Sequence, residues 1–274
     1  MAQKSKPKQQ KKRNSSKQSG DPSSLVHYTS LEVLHSLLQG AIEGGMITLH
    51  LSHQRMMNDP YEGELFINNF INLYLQNDAD KNNWEKFRRK HTCFVFSTIR
   101  SARESMYDGS QLMWKMYGDD FRGALIKFNY DLLQKFIKEV NQTKGYTSVV
   151  LEKCEYLEIS SKQAGEVAKI GKNDWHTCIK RSAFVKPLFW NGEKEFRIVV
   201  IADEQVAKTK NTARGIVMYY ELKIPIELIR AIIIGPKCDQ TITLTSLEHL
   251  KNKINEKQQN KANFTISQSS AKIR

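Results

Sequence analysis

The stretch Leu25-Val26-His27-Tyr28-Thr29-Ser30-Leu31-Glu32 places a short strand directly before a helix. Leu25 to Tyr28 forms the predicted strand. Thr29, followed three residues later by Glu32, has the pattern of a capping box, in which two side chains satisfy backbone N–H groups at a helix start. Leucines at 31, 34, 37 and 38 share one helical face, and Gly40 is predicted to end the helix. The ordered part of the chain therefore begins with a strand–helix unit.

Strands and helices alternate irregularly along the rest of the sequence, without a repeated βαβ unit. This mixture favours an α+β fold over a doubly wound sheet. Predicted strands cover 46–51, 91–98, 123–128, 146–155, 195–202, 216–223, 231–234 and 264–267. One predicted helix begins near Pro60, and three others cover 110–117, 130–140 and 173–185. A short helix is predicted at Pro225 and a last one from Asp239 to about 255.

The excess of positive charge lies at the two ends of the chain. The net charge is +13, but residues 1–20 hold seven Lys or Arg and no acid, and residues 251–274 have a net charge of +5. We therefore predict a basic disordered tail at 1–22, a single domain at 23–255 and a basic segment at 256–274. Basic ends of this kind are typical of proteins that touch RNA, DNA or acidic membranes. The alternative is a solvated tail without a partner.

Several classes of protein lack support in the sequence. The four cysteines have no CxxC spacing and no nearby histidine cluster, so no metal site is expected. The motifs of P-loop, dinucleotide-binding, zinc-protease and α/β-hydrolase enzymes are missing. No apolar run reaches the roughly 18 residues needed to span a membrane, and the N-terminus has no signal-peptide pattern. These features predict a cytoplasmic protein.

His27 is a candidate ligand-binding residue because it lies at the end of a predicted strand, where a side chain can face a cleft. Histidine donates or accepts a hydrogen bond at neutral pH. Trp114 and Tyr117 are three residues apart, so they share one helical face and could stack on a flat ring. For each of these residues a place in the core is the alternative.

Trp190-Asn191-Gly192-Glu193-Lys194-Glu195-Phe196-Arg197 is the densest polar stretch of the sequence. Glu193, Glu195 and Arg197 alternate, so all three point to one face at the start of the predicted strand. Arg197 could pair with either carboxylate and fix its direction. A solvated, salt-bridged strand end is the alternative to a ligand site.

Six segments, taken in order, resemble the bacterial family of unknown function DUF2971. They are LVHYTSLEVLHSLL, MMNDPYEGE, CFVFS, LMWKMYGDDFRGALIKF, WNGEKEFRIVV and LIRAIIIGPKC, and they span residues 25–238. The family is thought to be related to the ADP-ribosyltransferases, and some members occur in anti-phage or toxin systems. The resemblance implies an ADP-ribosyltransferase-like split β-sheet core with surrounding helices, with NAD as the substrate and RNA, DNA or protein as the acceptor.

The resemblance also implies roles for individual residues. Glu195 would be the catalytic carboxylate, His27 would hold a ribose hydroxyl of NAD, and Glu193 would touch the acceptor. Tyr117, with Trp114, would lie near the nicotinamide, although Tyr28 could be the aromatic residue instead. Ser97 would support the site, and Arg197 would orient Glu195. Two other functions stay open: a module that binds a nucleotide without turnover, and a nucleic-acid-associated protein that acts through its basic tails.

Overall fold

The computed structural model describes residues 23–57, 63–75, 77–101, 111–142, 148–158, 169, 174–212, 215–259 and 261–271. The predicted tail at 1–22 and the predicted helix start at Asn58–Pro60 lie outside these residues. Within them the chain is a mixture of α-helices and β-strands with one large mixed sheet.

The strands and helices follow one another along the chain in an irregular order. The strands are β1 Ser24–Thr29, β2 Met46–His53, β3 Thr92–Arg100, β4 Ala124–Asn129, β5 Ser148–Lys153, β6 Glu155–Leu157, β7 Val185–Pro187, β8 Glu195–Ala202, β9 Lys208–Thr212, β10 Gly215–Pro225, β11 Ile229–Ile234 and β12 Thr265–Gln268. The α-helices are α1 Leu31–Gly44, α2 Glu64–Tyr74, α3 Asp78–Lys90, α4 Gln111–Tyr117, α5 Tyr130–Gln142, α6 Trp175–Ser182 and α7 Gln240–Gln258. A 3₁₀ turn, Leu188–Glu193, leads into β8.

The large sheet forks at β3. Its strand order is β12-β11-β4-β1-β3-β2-β10-β9, and β8 pairs with β3 and with β5. One edge of β3 pairs with β8 from Thr92 to Ile99. The other edge pairs with β2 at residues 94–95 and with β1 at residues 99–100. Between these two pairings, residues 96–98 are bonded to neither strand in the described sheet, so β1 and β2 diverge there.

The two faces of the sheet are covered by different helices. The main hydrophobic core packs α1, α5 and α7 on one face and includes Leu34, Leu133 and Leu250. A second core packs α2, α3 and α6 on the other face, around Phe70 and Trp84. All eight residues of β8 are buried between these layers. Any polar residue of β8 must therefore find a partner inside the protein.

The start and the end of α1 differ from the prediction. Thr29 is the last residue of β1, and Ser30 is the N-cap, whose Oγ accepts from Val33 N at 3.2 Å. The helix continues through Gly40 to Gly44, because Ala41 is buried in the core and its packing outweighs the roughly 1 kcal/mol cost of an interior glycine. Gly45, at φ 64°, ends the helix in the left-handed conformation that glycine adopts without strain.

Three other parts of the pattern differ from the prediction. Helix α3 and strand β9 were not predicted, because α3 is mostly polar and β9 is a largely exposed edge strand of Lys, Thr and Asn. The helix predicted at 173–185 is shorter, Trp175–Ser182, and strand β7, Val185–Pro187, follows it. The last predicted helix, which was expected to end at about 255, continues to Gln258 in α7; the strand predicted at 264–267 is β12, which pairs in parallel with β11.

The described residues contain no helix that is both long enough and apolar enough to cross a lipid bilayer.

Candidate functional site

A buried ion pair opens strand β8. The side chains of Glu195 and Arg197 are 3% and 0% exposed. Arg197 donates from Nε to Glu195 Oε1 at 2.8 Å and from Nη2 to Oε2 at 3.0 Å, and from Nη1 to the carbonyl of Ala183. This paired geometry fixes the plane of the carboxylate. The predicted pairing of Arg197 with Glu195 is thus present, in the interior rather than at a solvated strand end.

Lys186, on β7, joins this ion pair to a second carboxylate. Its Nζ donates to Glu195 Oε2 at 2.9 Å and to Glu193 Oε2 at 2.6 Å. The other oxygen of Glu193 accepts from the hydroxyl of Tyr117 at 3.1 Å. Lys186 Nζ also lies 5.2 Å from the centre of the Trp190 ring. Two acids and two bases therefore form one compact group, which we call the charged cluster.

The charged cluster controls the ionisation of its members. Burial alone would raise the pKa of Glu195, but the charge and hydrogen bonds of Arg197, the charge of Lys186 and a hydrogen bond from Ser97 outweigh it and lower the pKa to about 2. Burial, together with the charge of Glu193 and the hydrogen bond to it, raises the pKa of Tyr117 to about 12. At neutral pH Glu195 is therefore an anion and Tyr117 a neutral donor.

Two further residues support Glu195 from neighbouring strands. The register pairs Ser97 with Arg197 and Ile99 with Glu195, so Ser97 points to the same face as the carboxylate. The hydroxyl of Tyr156, on β6, accepts a hydrogen bond from the backbone N–H of Glu195 at 2.8 Å. The hydrogen bond from the Ser97 side chain to Glu195 is compatible with the predicted supporting role of Ser97.

His27 lies at the fork of the sheet but on the other face of its strand. Its neighbour Val26 is paired with Ile99, which shares the face of Glu195, so His27 points the opposite way. The ring of His27 packs 4.2 Å from the ring of Phe96, and Nδ1–H donates to the carbonyl of Ser97 at 2.8 Å. Ser97 thus contacts His27 through its backbone and Glu195 through its side chain.

The ring of His27 is neutral at physiological pH. Burial lowers its pKa to about 4, and the hydrogen bond to Ser97 opposes this only in part. Because a carbonyl oxygen only accepts, Nδ1 carries the proton and Nε2 is the acceptor nitrogen. His27 can therefore accept a hydrogen bond from a hydroxyl group at the fork.

Trp114 and Tyr28 occupy the core and do not face a cleft. Trp114 is 0% exposed and Tyr28 is 6% exposed, and their rings meet edge to face at 5.0 Å. Neither ring presents a face on which a ligand could stack. The prediction that Trp114 or Tyr28 binds a cofactor is therefore replaced by the core alternative, whereas Tyr117, at the end of the same helix, reaches the charged cluster.

Sequence reasoning brought together Tyr117, Glu193, Glu195 and Arg197, but it missed Lys186, Tyr156 and Trp190. Lys186 and Tyr156 lie on the short pair β6–β7, whose three-residue strands give no periodic signal. Trp190 lies in the polar stretch but outside the alternation of Glu193, Glu195 and Arg197. Among the described residues, no group of three His, Cys, Asp or Glu lies close enough together to hold a metal ion.

Comparison with known proteins adds one finding. The model of the family described as "Protein of unknown function (DUF2971)" matches residues 113–198. This range carries Tyr117 and all four residues of the charged cluster, and it supports the resemblance to that family. No curated protein and no solved structure matched the chain.

Proposed function

We propose that the protein is an ADP-ribosyltransferase that uses NAD, with Glu195 as the catalytic carboxylate. The observation that carries the proposal is a buried glutamate kept ionised, with a pKa of about 2, beside a second glutamate and a tyrosine hydroxyl. It is supported by the resemblance, in which a carboxylate of this position acts on the ribose of NAD.

The chemistry requires stabilisation of a positive charge. When nicotinamide leaves, the ribose becomes an oxocarbenium-like cation and the bonding electron pair departs with the nicotinamide. A fixed anion near the ribose stabilises that cation, and such electrostatic groups commonly contribute about 10²–10³ in rate. Arg197 and Ser97 hold the carboxylate of Glu195 in one orientation, so little free energy is needed to reorient it during the reaction.

His27 has the properties required to position a ribose. In the proposal, Nε2 accepts a hydrogen bond from a ribose hydroxyl of an NAD that reaches through the fork between β1 and β2, because His27 and Glu195 point to opposite faces of the sheet. The neutral ring suits this role, because a protonated His27 could only donate. Glu193 would then face the acceptor, which is a nucleic acid or a protein.

The first experiment asks where the label of NAD goes. The full chain is incubated with NAD labelled in the adenosine and with cell lysate, and the label is followed in protein, RNA and DNA. We expect Glu195→Gln to lower transfer by about 10²–10³, whereas Glu248→Gln, at an exposed position of α7, leaves it unchanged. Full transfer by Glu195→Gln would refute the assignment, provided that both variants melt cooperatively by circular dichroism.

Because Glu195→Gln leaves Arg197 buried without its anion, a second variant tests the site with less disturbance. Tyr117→Phe removes one hydroxyl and keeps the ring, so the fold is retained. We expect it to lower transfer, while Phe substitution of Tyr74, which is half-buried on α2 and packs against the second core, does not. As a toxin or anti-phage effector, the protein should also slow bacterial growth when expressed, and Glu195→Gln should abolish that effect.

One observation favours a second candidate, a module that binds a nucleotide without turnover. Glu195 already receives hydrogen bonds from Arg197 at both oxygens, from Lys186 and from Ser97, which leaves little acceptor capacity for a substrate. NAD binding measured by calorimetry, without nicotinamide release over several hours, would favour this candidate over the transferase.

A further inference from the structure

One face of the sheet is open to solvent where it passes over β2, β10 and β9. Ser52 of β2 pairs with Tyr219 of β10, which pairs in turn with Lys208 of β9, and cross-strand partners share a face. The opposite face of β10 belongs to the main core, where Leu222 is buried. The side chain of Lys208 is 59% exposed. We define the open face by the side chains of His50, Lys208, Lys210, Tyr219, Glu221 and Lys223.

The open face carries an excess of positive charge. Lys208 is paired with Glu221 at 2.7 Å. Lys210 and Lys223 have no carboxylate within ion-pair distance among the residues that the structure describes. Instead, Lys210 Nζ lies 5.2 Å from the centre of the Tyr219 ring. Three lysines against one glutamate leave two positive charges, so the open face is complementary to an anionic partner.

A row of flat groups crosses the same three strands. The ring of His50 packs 4.4 Å from the ring of Tyr219, which lies beneath Lys210. Tyr219 is buried, whereas His50 is exposed at the end of the row. Burial and the charge of Lys210 lower the pKa of His50, so its ring is uncharged at neutral pH. His50 therefore offers a flat, neutral surface beside the lysines.

This combination distinguishes between anionic partners. Lysines bind the phosphates of any nucleic acid, but an aromatic ring adds affinity only where a base is free to stack on it. The bases of a single strand are free in this way, whereas those of a duplex are stacked on one another. An acidic membrane would also attract the lysines but would gain nothing from the His50 ring. The open face thus fits a single-stranded nucleic acid best.

The open face lies on the same side of the sheet as the charged cluster. Ser52 also pairs with Val95 of β3, and Val95 pairs with Val199 of β8. Val199 shares its face with Arg197 and Glu195, because side chains alternate along a strand. A chain bound on the open face can therefore extend towards the charged cluster without crossing the sheet.

We propose that the open face binds single-stranded nucleic acid, with its three lysines on the phosphates and the His50 ring stacked on a base, and that this strand is the acceptor of ADP-ribose. The second half of the proposal rests on the proposed function and names its acceptor. In the transfer, a nucleophilic oxygen or nitrogen of the strand forms the new bond to C1′ of the ribose. The bond to nicotinamide breaks with its electron pair, and the proton of the acceptor passes to Glu193.

The salt dependence of binding tests the role of the lysines. The full chain is titrated against a labelled single-stranded RNA and a DNA of the same sequence, by fluorescence anisotropy at several salt concentrations. Each phosphate contact on a single strand contributes about 0.7 to the slope of log Kobs against log salt. We therefore expect the slope to fall by about 2 in the triple variant Lys208→Gln, Lys210→Gln, Lys223→Gln.

A second triple variant is the matched control, because it loses the same charge from exposed lysines of α5 and α7, on the other side of the sheet. It consists of Lys135→Gln, Lys253→Gln and Lys257→Gln, and its slope should equal that of the unmodified chain. Equal slopes for the two triple variants would overturn the proposal, since the basic ends of the chain would then explain all binding. Loss of binding to phosphatidylserine vesicles alone in the first variant would overturn it in favour of a membrane.

Stacking is tested by His50→Ala, which removes an exposed ring and leaves the core intact. We expect single-stranded RNA to bind about tenfold more weakly, with duplex binding unchanged. His35→Ala, at an exposed position of α1, is the control and should change neither affinity. An equal loss for single strand and duplex would refute stacking.

Ultraviolet cross-linking of the unmodified chain does not depend on the folding of a variant. We expect peptides of β2 and β10 to be linked to single-stranded RNA, and links confined to residues 1–22 and 256–274 would refute the proposal. These measurements do not require catalysis. Binding at the open face without transfer would count against the proposed function alone, whereas transfer to protein without such binding would count against the nucleic-acid acceptor alone.

Discussion

Replacing Arg197 with methionine tests whether the buried carboxylate of Glu195 depends on its guanidinium partner. Glu195 has a pKa of about 2 in the folded chain against 4.5 without the fold, which corresponds to about 3 kcal/mol of stability at neutral pH. Removing one partner of a buried pair costs about 3–5 kcal/mol by comparison with other proteins. We therefore expect Arg197→Met to lower the free energy of unfolding by about 3 kcal/mol at pH 7.

Urea denaturation followed by circular dichroism measures this loss. The control is Lys208→Met, which breaks an ion pair with Glu221 of similar length, 2.7 Å, but with the lysine 59% exposed. Because water screens exposed pairs, the control should cost less than about 1 kcal/mol.

The pH dependence supplies a second test of the same reasoning. A carboxyl with a lowered pKa stabilises the fold above pH 4.5, and this stability is lost as the pH falls from 4.5 towards 2. Arg197→Met should lose less stability over that interval than the unmodified chain. The reasoning fails if the variant lies within about 1 kcal/mol of the unmodified chain at pH 7 and is equally sensitive to acid.

Three other predictions concern the frame around the site and are measured by urea denaturation. Ser30→Ala removes the cap of α1 and should cost about 1 kcal/mol. Gly235→Ala would place a Cβ 2.1 Å from the carbonyl oxygen of Phe121 and should destabilise by more than about 1 kcal/mol, while Gly192→Ala, which meets open space, should not. The unmodified chain should lose stability as the pH falls from 6.5 to 4, because the unfolded chain binds a proton that the folded His27, with a pKa of about 4, excludes. His27→Gln removes this contribution, so at pH 4.5 the variant should have lost about 2–3 kcal/mol less of its free energy of unfolding than the unmodified chain. An equal loss of stability with falling pH in both chains would refute the prediction.

The strands that pass through the core could be predicted from the sequence because they are continuous runs of β-branched and apolar residues. Strand β8 runs from Glu195 to Ala202, as predicted, since a run of β-branched and apolar residues fits the middle of a sheet. Helix α3 could not be predicted in the same way. Only Trp84 and Arg88 of its 13 residues are buried, so the hydrophobic period that marks a helix is too sparse to detect.

The fork of the sheet depends on contacts that no local pattern encodes. His27 and Ser97 are bonded across a separation of 70 residues, and the divergence of β1 from β2 leaves the ring in the gap. The prediction that His27 lies at a strand end was wrong, because β1 continues through Thr29 and His27 pairs with Ile126 within it. The sequence also does not determine the face of His27, because a shift of one residue in register would reverse every side chain of β1. Whether His27 and Glu195 point to the same face of the sheet therefore follows only from the register, which places them on opposite faces.

The alternation of side chains along a strand predicts only part of the charged cluster. Glu195 and Arg197 share one face of β8, as alternation predicts, but Glu193 belongs to the 3₁₀ turn and joins them only through Lys186. The two carboxylates consequently differ in what they can do. Glu195 is held by several donors and keeps a fixed negative charge, whereas Glu193 is held by one ammonium and one hydroxyl. In the proposed reaction, Glu195 contributes a constant negative field, and Glu193 is the carboxylate that meets the acceptor.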